Sequence, residues 1–246
     1  MTLRPIDIAR RLNISTSTLR KYEDMGLAPR AARTPAGYRA YTPVHLAYFS
    51  CVREMLPAFE LPFLRTVLER VQARDVDGAF WLVTQRQAAL WAQRQAAEKF
   101  AARLGQAPHP PLRHRRMLIH EISQKTGIAV TTIRHWEKAG LITPLRDPEN
   151  RYRYYTDAHA EQLLTLHTIR LSVQEYRGRH FLSQMKEAYD GFDRTDPQQT
   201  GALLETVHAR LSRENQNQMQ AAAALCALCR KLNALAAAPC SREKTT

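Results

Sequence analysis

Residues 8–29, IARRLNISTSTLRKYEDMGLAP, are answered 114 positions later by residues 122–143, ISQKTGIAVTTIRHWEKAGLIT. The offset holds without a gap at Ile14/Ile128, Thr18/Thr132, Leu19/Ile133, Arg20/Arg134, Tyr22/Trp136, Glu23/Glu137, Gly26/Gly140 and Leu27/Leu141. It holds again where GYRAYT, residues 37–42, meets RYRYYT, residues 151–156. Matched apolar, aromatic and arginine positions at one fixed spacing identify two copies of a small module. Whatever the module binds, the chain is built to bind twice.

Each copy opens with a short helix whose apolar positions share a face, Ile8 with Leu12 and Ile122 with the shorter Thr126. A turn follows at Asn13-Ile14 and Gly127-Ile128, because Asn and Gly tolerate left-handed backbone angles. The next helix has Ser15 as a good N-cap in copy one; Ala129 caps poorly in copy two, leaving Thr131 or Thr132 to relieve it. Gly26 and Gly140 end that helix as residues one past its C-cap. Two short helices around a tight turn form a helix-turn-helix, in which Tyr22 and Trp136 read as packing. After the glycines, the clusters Thr34-Pro35-Ala36-Gly37 and Asp147-Pro148-Glu149-Asn150 mark turns. Each precedes an aromatic-rich strand, so a small β-hairpin wing is expected, with Arg39 or Arg153 between tyrosines. Thr42 and Thr156 then cap another helix, whose apolar face holds Leu46, Phe49 and Val52 or Leu163, Leu166 and Ile169.

The order helix, turn, [LI]R-x-[YW]-E-x-x-GL, loop, YR-x-YT, helix resembles the winged-helix DNA-binding domain of the MerR family of bacterial transcription regulators. The resemblance covers roughly residues 3–70 and again 117–186. It implies a promoter spacer as target, distortion of that DNA as the means of activation, and RNA polymerase as a partner. Family members usually carry one such domain and dimerise through a long antiparallel helix; two domains in one chain depart from that pattern.

A helix-turn-helix places the start of its second helix in the major groove, where Arg reads guanine and Ser or Thr meets bases or phosphates. The contact candidates are Ser15, Thr16, Ser17, Arg20 and Lys21 in copy one, and Thr131, Thr132, Arg134 and His135 in copy two. For Ser15 a capping role competes; for Arg20 and Arg134 the competitor is an ion pair with Glu23, Asp24 or Glu137. In the wings, Tyr38, Arg39, Tyr41, Tyr152, Arg153 and Tyr155 suit phosphate contact, which positions a domain without reading sequence. At least one tyrosine per copy is expected in the wing's own core.

Two further stretches are helical. Residues 75–104 carry a heptad-like seam through Val76, Phe80, Val83, Gln87, Leu90, Arg94, Ala97, Ala101 and Leu104, ended by Gly105 and Pro108, Pro110 and Pro111. After Pro197 a second seam runs from Leu204 through Val207, Leu211, Glu214, Gln218, Ala221, Leu225 and Leu228 to Leu232 and Leu235. A helix with one apolar stripe must bury it. The two are therefore expected to pair as an antiparallel coiled coil inside one polypeptide, with Arg94 facing Glu214 or Gln218; a homodimer pairing each helix with its counterpart is the competing reading. The fold class is thus mainly α. The domain plan reads 1–74 first winged module, 75–105 long helix, 106–116 Pro/Arg-rich linker, 117–195 second module, 196–238 C-terminal helix and 239–246 disordered tail.

A net charge of +13 favours a polyanionic partner. It is uneven: +5 over residues 1–70, +5 over 71–116, +1 over 117–190 and +2 beyond. The basic run Arg113, His114, Arg115, Arg116 either touches phosphate or is merely solvated. No apolar run approaches the ~18 residues of a membrane helix and the start has no signal peptide, so a cytoplasmic protein is expected. Cys226, Cys229 and Cys240 are weak candidates for a soft-metal site; Cys51 reads as core, and no cofactor is required. Phe80, Trp81 and Trp91 read as ordinary packing rather than an aromatic pocket. No catalytic motif is present, so an enzyme is not expected. Two alternatives to a transcription regulator stay open: an architectural DNA binder such as a recombination directionality factor, or one DNA-binding module beside one protein-binding module.

Overall fold

The computed structural model describes residues 2–102, 116–173 and 181–237. It is mainly helical and divides into two units, Met1–Ala88 with Glu214–Thr246, and Ala89–Arg213.

In the first unit α1, Pro5–Leu12, starts on a proline, whose missing N–H has no helical partner to lose there. Asn13 ends it at φ 50°, an angle its short side chain tolerates. α2, Thr16–Asp24, is capped by Ser15, whose hydroxyl accepts the Thr18 N–H at 3.0 Å. Gly26, at φ 78°, closes its far end. There the Gly26 N–H donates to the Glu23 carbonyl at 2.9 Å and the Leu27 N–H to the Tyr22 carbonyl at 3.0 Å. The wing follows as β1, Ala32–Arg33, antiparallel to β2, Arg39–Ala40, with Leu3 bridging to Tyr41. α3, Pro43–Met55, and α4, Leu61–Gln72, lead into α5, Val76–Ala101. Leu19, Tyr22, Tyr41, Phe49, Leu64 and Leu68 fill the core, where the Tyr41 and Phe49 rings meet edge-on at 5.4 Å.

The second unit repeats the plan with α6, Ile119–Thr126, α7, Val130–Lys138, β3, Leu145–Arg146, and β4, Arg153–Tyr154. α8, Asp157–Val173, α9, Phe181–Asp190, and α10, Pro197–Ala237, complete the elements of the described residues. Thr126 sits buried where copy one has Leu12, its hydroxyl satisfied by the Ile122 carbonyl at 2.8 Å. Ala129 receives no side-chain cap, so the relief expected from Thr131 or Thr132 is not made; the Thr132 and Ile133 amides donate to the Ala129 carbonyl. Ile122, Ile133, Trp136, Tyr155, Leu163 and Leu166 form this core.

Both units draw on α5 and α10. In the first, Ala79 and Val83 from the start of α5 share the core with Ala221, Leu225 and Leu228 from the end of α10. In the second, Leu90 and Ala97 from the end of α5 cluster with Val207 and Leu211 from the start of α10, and with Leu171. That order is antiparallel, and it fits the expected intramolecular pairing. The α10 seam is buried or half-buried from Val207 through Leu228. On α5 the expected seam is buried at Val83, Leu90 and Ala97, with Ala79, Ala96 and Phe100 buried beside it. Arg94 departs from that seam: it is exposed and ion-pairs with Glu98 at 2.8 Å, one turn along its own helix. Trp81 and Trp91, expected to pack, are 61% and 55% exposed, each one position past a seam residue and so turned about 100° from it.

One carboxylate joins helix to wing in each unit. Glu23 is buried and accepts the Ala31 N–H at 3.1 Å, the Arg39 Nε–H at 2.8 Å and the Tyr41 hydroxyl at 3.1 Å. Glu137 accepts the Tyr155 hydroxyl. Burial, with the neighbouring carboxylate, pushes the Tyr41 phenol up to about 12 and raises that of Tyr155. The next helix is fastened by a second repeated device. The Thr42 and Thr156 N–H groups donate at 3.1 Å to Nδ1 of His45 and His159, three residues on, so each imidazole takes the part of the acidic residue in a capping box.

Two outcomes follow. Glu23→Ala leaves the buried Tyr41 hydroxyl without an acceptor and should lower stability by roughly 2–3 kcal/mol in denaturant titration. In the second unit His167 is buried with both ring nitrogens unpartnered. Burial, then the nearby Arg170 guanidinium, pushes its imidazole down to about 3. An unfolded chain takes up that proton near pH ~6.5, so the stability tied to a neutral His167 is complete above that pH and declines as pH falls toward the folded value. His167→Leu should therefore flatten the fall in urea midpoint between about pH 7 and about pH 5; an unchanged pH dependence would count against this account.

Candidate nucleic-acid interface

The outer faces of α2 and α7 carry most of the candidates. Arg20 and Lys21 are exposed on α2, and Thr131, Arg134 and His135 on α7; Ser17 is exposed, while Thr16 and Thr132 are half-buried. Ion pairing with Glu23, Asp24 or Glu137 was the competing use for the two equivalent arginines. Among the described residues neither Arg20 nor Arg134 has an ion-pair or hydrogen-bond partner. Glu23 is taken up by Arg39 and Tyr41 instead. A free guanidinium on an exposed helix face keeps its five donors in a fork suited to a base edge or a phosphate. Ser15 differs, since its hydroxyl accepts the Thr18 N–H and lies 2.6 Å from Ser17 Oγ and 2.8 Å from Thr18 Oγ1. It is a cap.

At the wings the tyrosines divide. Tyr38 and Tyr152 are 72% and 73% exposed at the hairpin tips, whereas Tyr41 and Tyr155 are at 0% and 1%. The last two were contact candidates. Their rings belong to the cores and their hydroxyls to Glu23 and Glu137, so neither reaches a surface. Arg39 is held by Glu23 and by Asp24 at 3.3 Å, with 22% of its side chain exposed. Arg153 is 55% exposed and stands 3.8 Å from Glu137, too far for a hydrogen bond.

The hairpin register adds residues that the sequence reading passed over. Arg33 lies directly opposite Arg39, and Arg146 directly opposite Arg153. Opposed residues point to the same face, and like charges there destabilise a free hairpin; an anion laid against that face removes the penalty. Arg33 and Arg146 donate to the Gly37 and Arg151 carbonyls at 2.9 and 3.3 Å. They sit at unequal repeat positions, 33 against 146, so the gapless offset hid their equivalence. Of the basic run before the second module, only Arg116 is described: it pairs with Asp147 and lies over the Tyr154 ring at 4.9 Å.

Cys51 and Cys229 share the first core, where they pack as small hydrophobes. Cys226 is exposed, Cys229 and Cys51 are buried, and Cys240 lies outside the described residues. Burial pushes the Cys51 thiol up to about 12. Among the described residues no cluster of three or more His, Cys, Asp or Glu side chains is placed to hold a metal, and no helix is long and apolar enough to cross a membrane.

Comparison with known proteins bears on these two surfaces. The model of the MerR family regulatory protein matches residues 4–41 and again 119–155. The HTH-type transcriptional regulator CueR of Salmonella typhi is 41% identical over 54 residues, 22% of this chain and 39% of that protein. CueR of Escherichia coli O157:H7 is 39% identical over 54 residues, 40% of its length. The chain thus spans about two-fifths of the length of these curated relatives. No solved structure matches it. Each matched segment runs from the first helix of a helix-turn-helix to the buried wing tyrosine, and so the chain carries two tandem domains of the MerR family.

Proposed function

We propose that this chain is a sequence-specific double-stranded DNA-binding regulator of transcription, with two non-identical recognition helices in one polypeptide. The carrying observation is the pair Arg20 and Arg134: equivalent, exposed and without an ion-pair partner among the described residues. In this reading Thr16, Ser17, Arg20 and Lys21 meet one half-site, and Thr131, Thr132, Arg134 and His135 meet the other. Tyr38, Tyr152 and Arg153 reach phosphates flanking them. The relatives are named as transcriptional regulators, which supports a role in transcription; RNA polymerase as partner and distortion of promoter DNA are what the family resemblance implies.

A single chain suffices for this arrangement. The stripes of α5 and α10 are covered from within the polypeptide, by Val83 with Leu225 in one unit and Leu90 with Val207 in the other. The monomer then stands in for a dimer, and its half-sites lie about one helical turn apart or a multiple of it.

Sites selected from a random duplex pool by the full chain should therefore be asymmetric, since TSTLRKYEDMG and VTTIRHWEKAG read different bases. Sites with perfect inverted symmetry, or no enrichment, would overturn the proposal. Arg20→Ala should relax preference in one half and Arg134→Ala in the other, each by roughly 1–3 kcal/mol. Light scattering of the free protein should give the single-chain mass of 28.2 kDa; twice that mass would restore the homodimer.

A further inference from the structure

The two wings are not equivalent, and the difference runs against the net charges of their modules. In the first unit the end of α2 offers two carboxylates, Glu23 and Asp24, and both hold Arg39, at 2.8 and 3.3 Å. In the second unit the position of Asp24 is taken by Lys138, which is exposed and has no partner among the described residues. Glu137 is occupied by the Tyr155 hydroxyl, and Arg153 lies beyond hydrogen-bond reach of it at 3.8 Å. The corner of Glu23, Asp24 and Arg39 carries a formal charge of −1, that of Glu137, Lys138 and Arg153 a charge of +1. A guanidinium held by two carboxylates has no call on a phosphate, and the exposed Asp24, 67% accessible, repels one.

From this we infer that cationic phosphate anchoring where the wing meets the recognition helix belongs to the second module alone, the first wing keeping only Tyr38 for such contact. Arg153 and Lys138 form its grip, while Arg39 is a clasp that locks the first wing to α2. The nearly neutral second module is then the better anchored at its wing, and the first holds DNA through Arg20 and Lys21 on its recognition helix. The inference rests on the DNA-binding reading above and assigns its contacts within that reading.

The test is the salt dependence of binding by the full chain to a duplex of about 40 base pairs carrying the selected site, since each phosphate contact adds about one to the slope of log affinity against log salt. Arg153→Gln should reduce the slope by about one and weaken binding roughly 3–10-fold at about 0.1 M salt. Lys138→Asp should remove one cation and clasp Arg153 as well, reducing the slope by up to about two. Arg39→Gln should leave the slope as it is. Asp24→Lys, at an exposed position, should steepen it by about one or more. Equal slope losses from Arg39→Gln and Arg153→Gln, or an Asp24→Lys protein with the parent slope, would overturn the unequal wings while leaving DNA binding intact. A parent chain that binds no duplex at low salt removes the underlying reading itself.

Discussion

A carboxylate withdrawn from water, fully as at Glu23 or in part as at Glu137, must find donors, and much of each module follows from that need. Glu23 and Glu137 sit at the ends of α2 and α7, where the chain turns away through a left-handed glycine. Taking a charge out of water without partners costs several kcal/mol. The tyrosine 18 residues on supplies a hydroxyl in both copies, and it can do so only if the wing folds back against the helix. Once there, its ring completes the core, against Phe49 in the first unit. The helix that presents Arg20 or Arg134 is thereby fixed to the hairpin that presents Tyr38 or Tyr152. On the proposed function, a loose wing would make the spacing between groove contact and backbone contact indefinite.

The long helices impose a second condition. The first core is not finished by its own module, because α10 brings Leu225 and Leu228 to it, while Val207 and Leu211 form a separate cluster with Leu90, Ala97 and Leu171 in the second unit. Closing the first core brings together residues more than a hundred positions apart, and contacts of that range carry a loop-closure cost that local helix pairs do not. The gain is that residues of the α5 and α10 stripes cover one another within each unit.

How much of this was legible depended on which physical signal was local. The helix-turn-helix pairs, the caps at Ser15 and Thr42, and the glycines at 26 and 140 were readable because each is set by residues within a few positions. The α10 seam was readable for the same reason, periodicity alone placing Val207, Leu211, Ala221 and Leu225 on one face. The outward turn of Arg94 was not, because periodicity places a residue on a face without saying whether its charge finds a partner across the seam or, as here with Glu98, along its own helix. Which tyrosine of each wing is buried could not be decided from alternation in strands of two residues. A signal for it was nonetheless present: Glu and Tyr persist 18 apart in both copies, as two groups in contact would. The opposed arginines escaped because the hairpin loop in the second wing is one residue longer, residues 147–152 against 34–38.

Duplication inside one chain also changes what the copies are free to become. In a symmetric dimer one gene supplies both recognition helices, so a substitution such as Asp24 for Lys138 alters both half-sites at once. Here the core positions remain paired, Leu19 with Ile133, Tyr22 with Trp136 and Tyr41 with Tyr155, all buried, because each must satisfy the same packing. The outward positions carry no such obligation, and there the copies part: Lys21 against His135, Asp24 against Lys138. The scaffold is held constant by burial while the surface diverges in charge, which is the condition under which a single polypeptide can present two different faces to one asymmetric ligand.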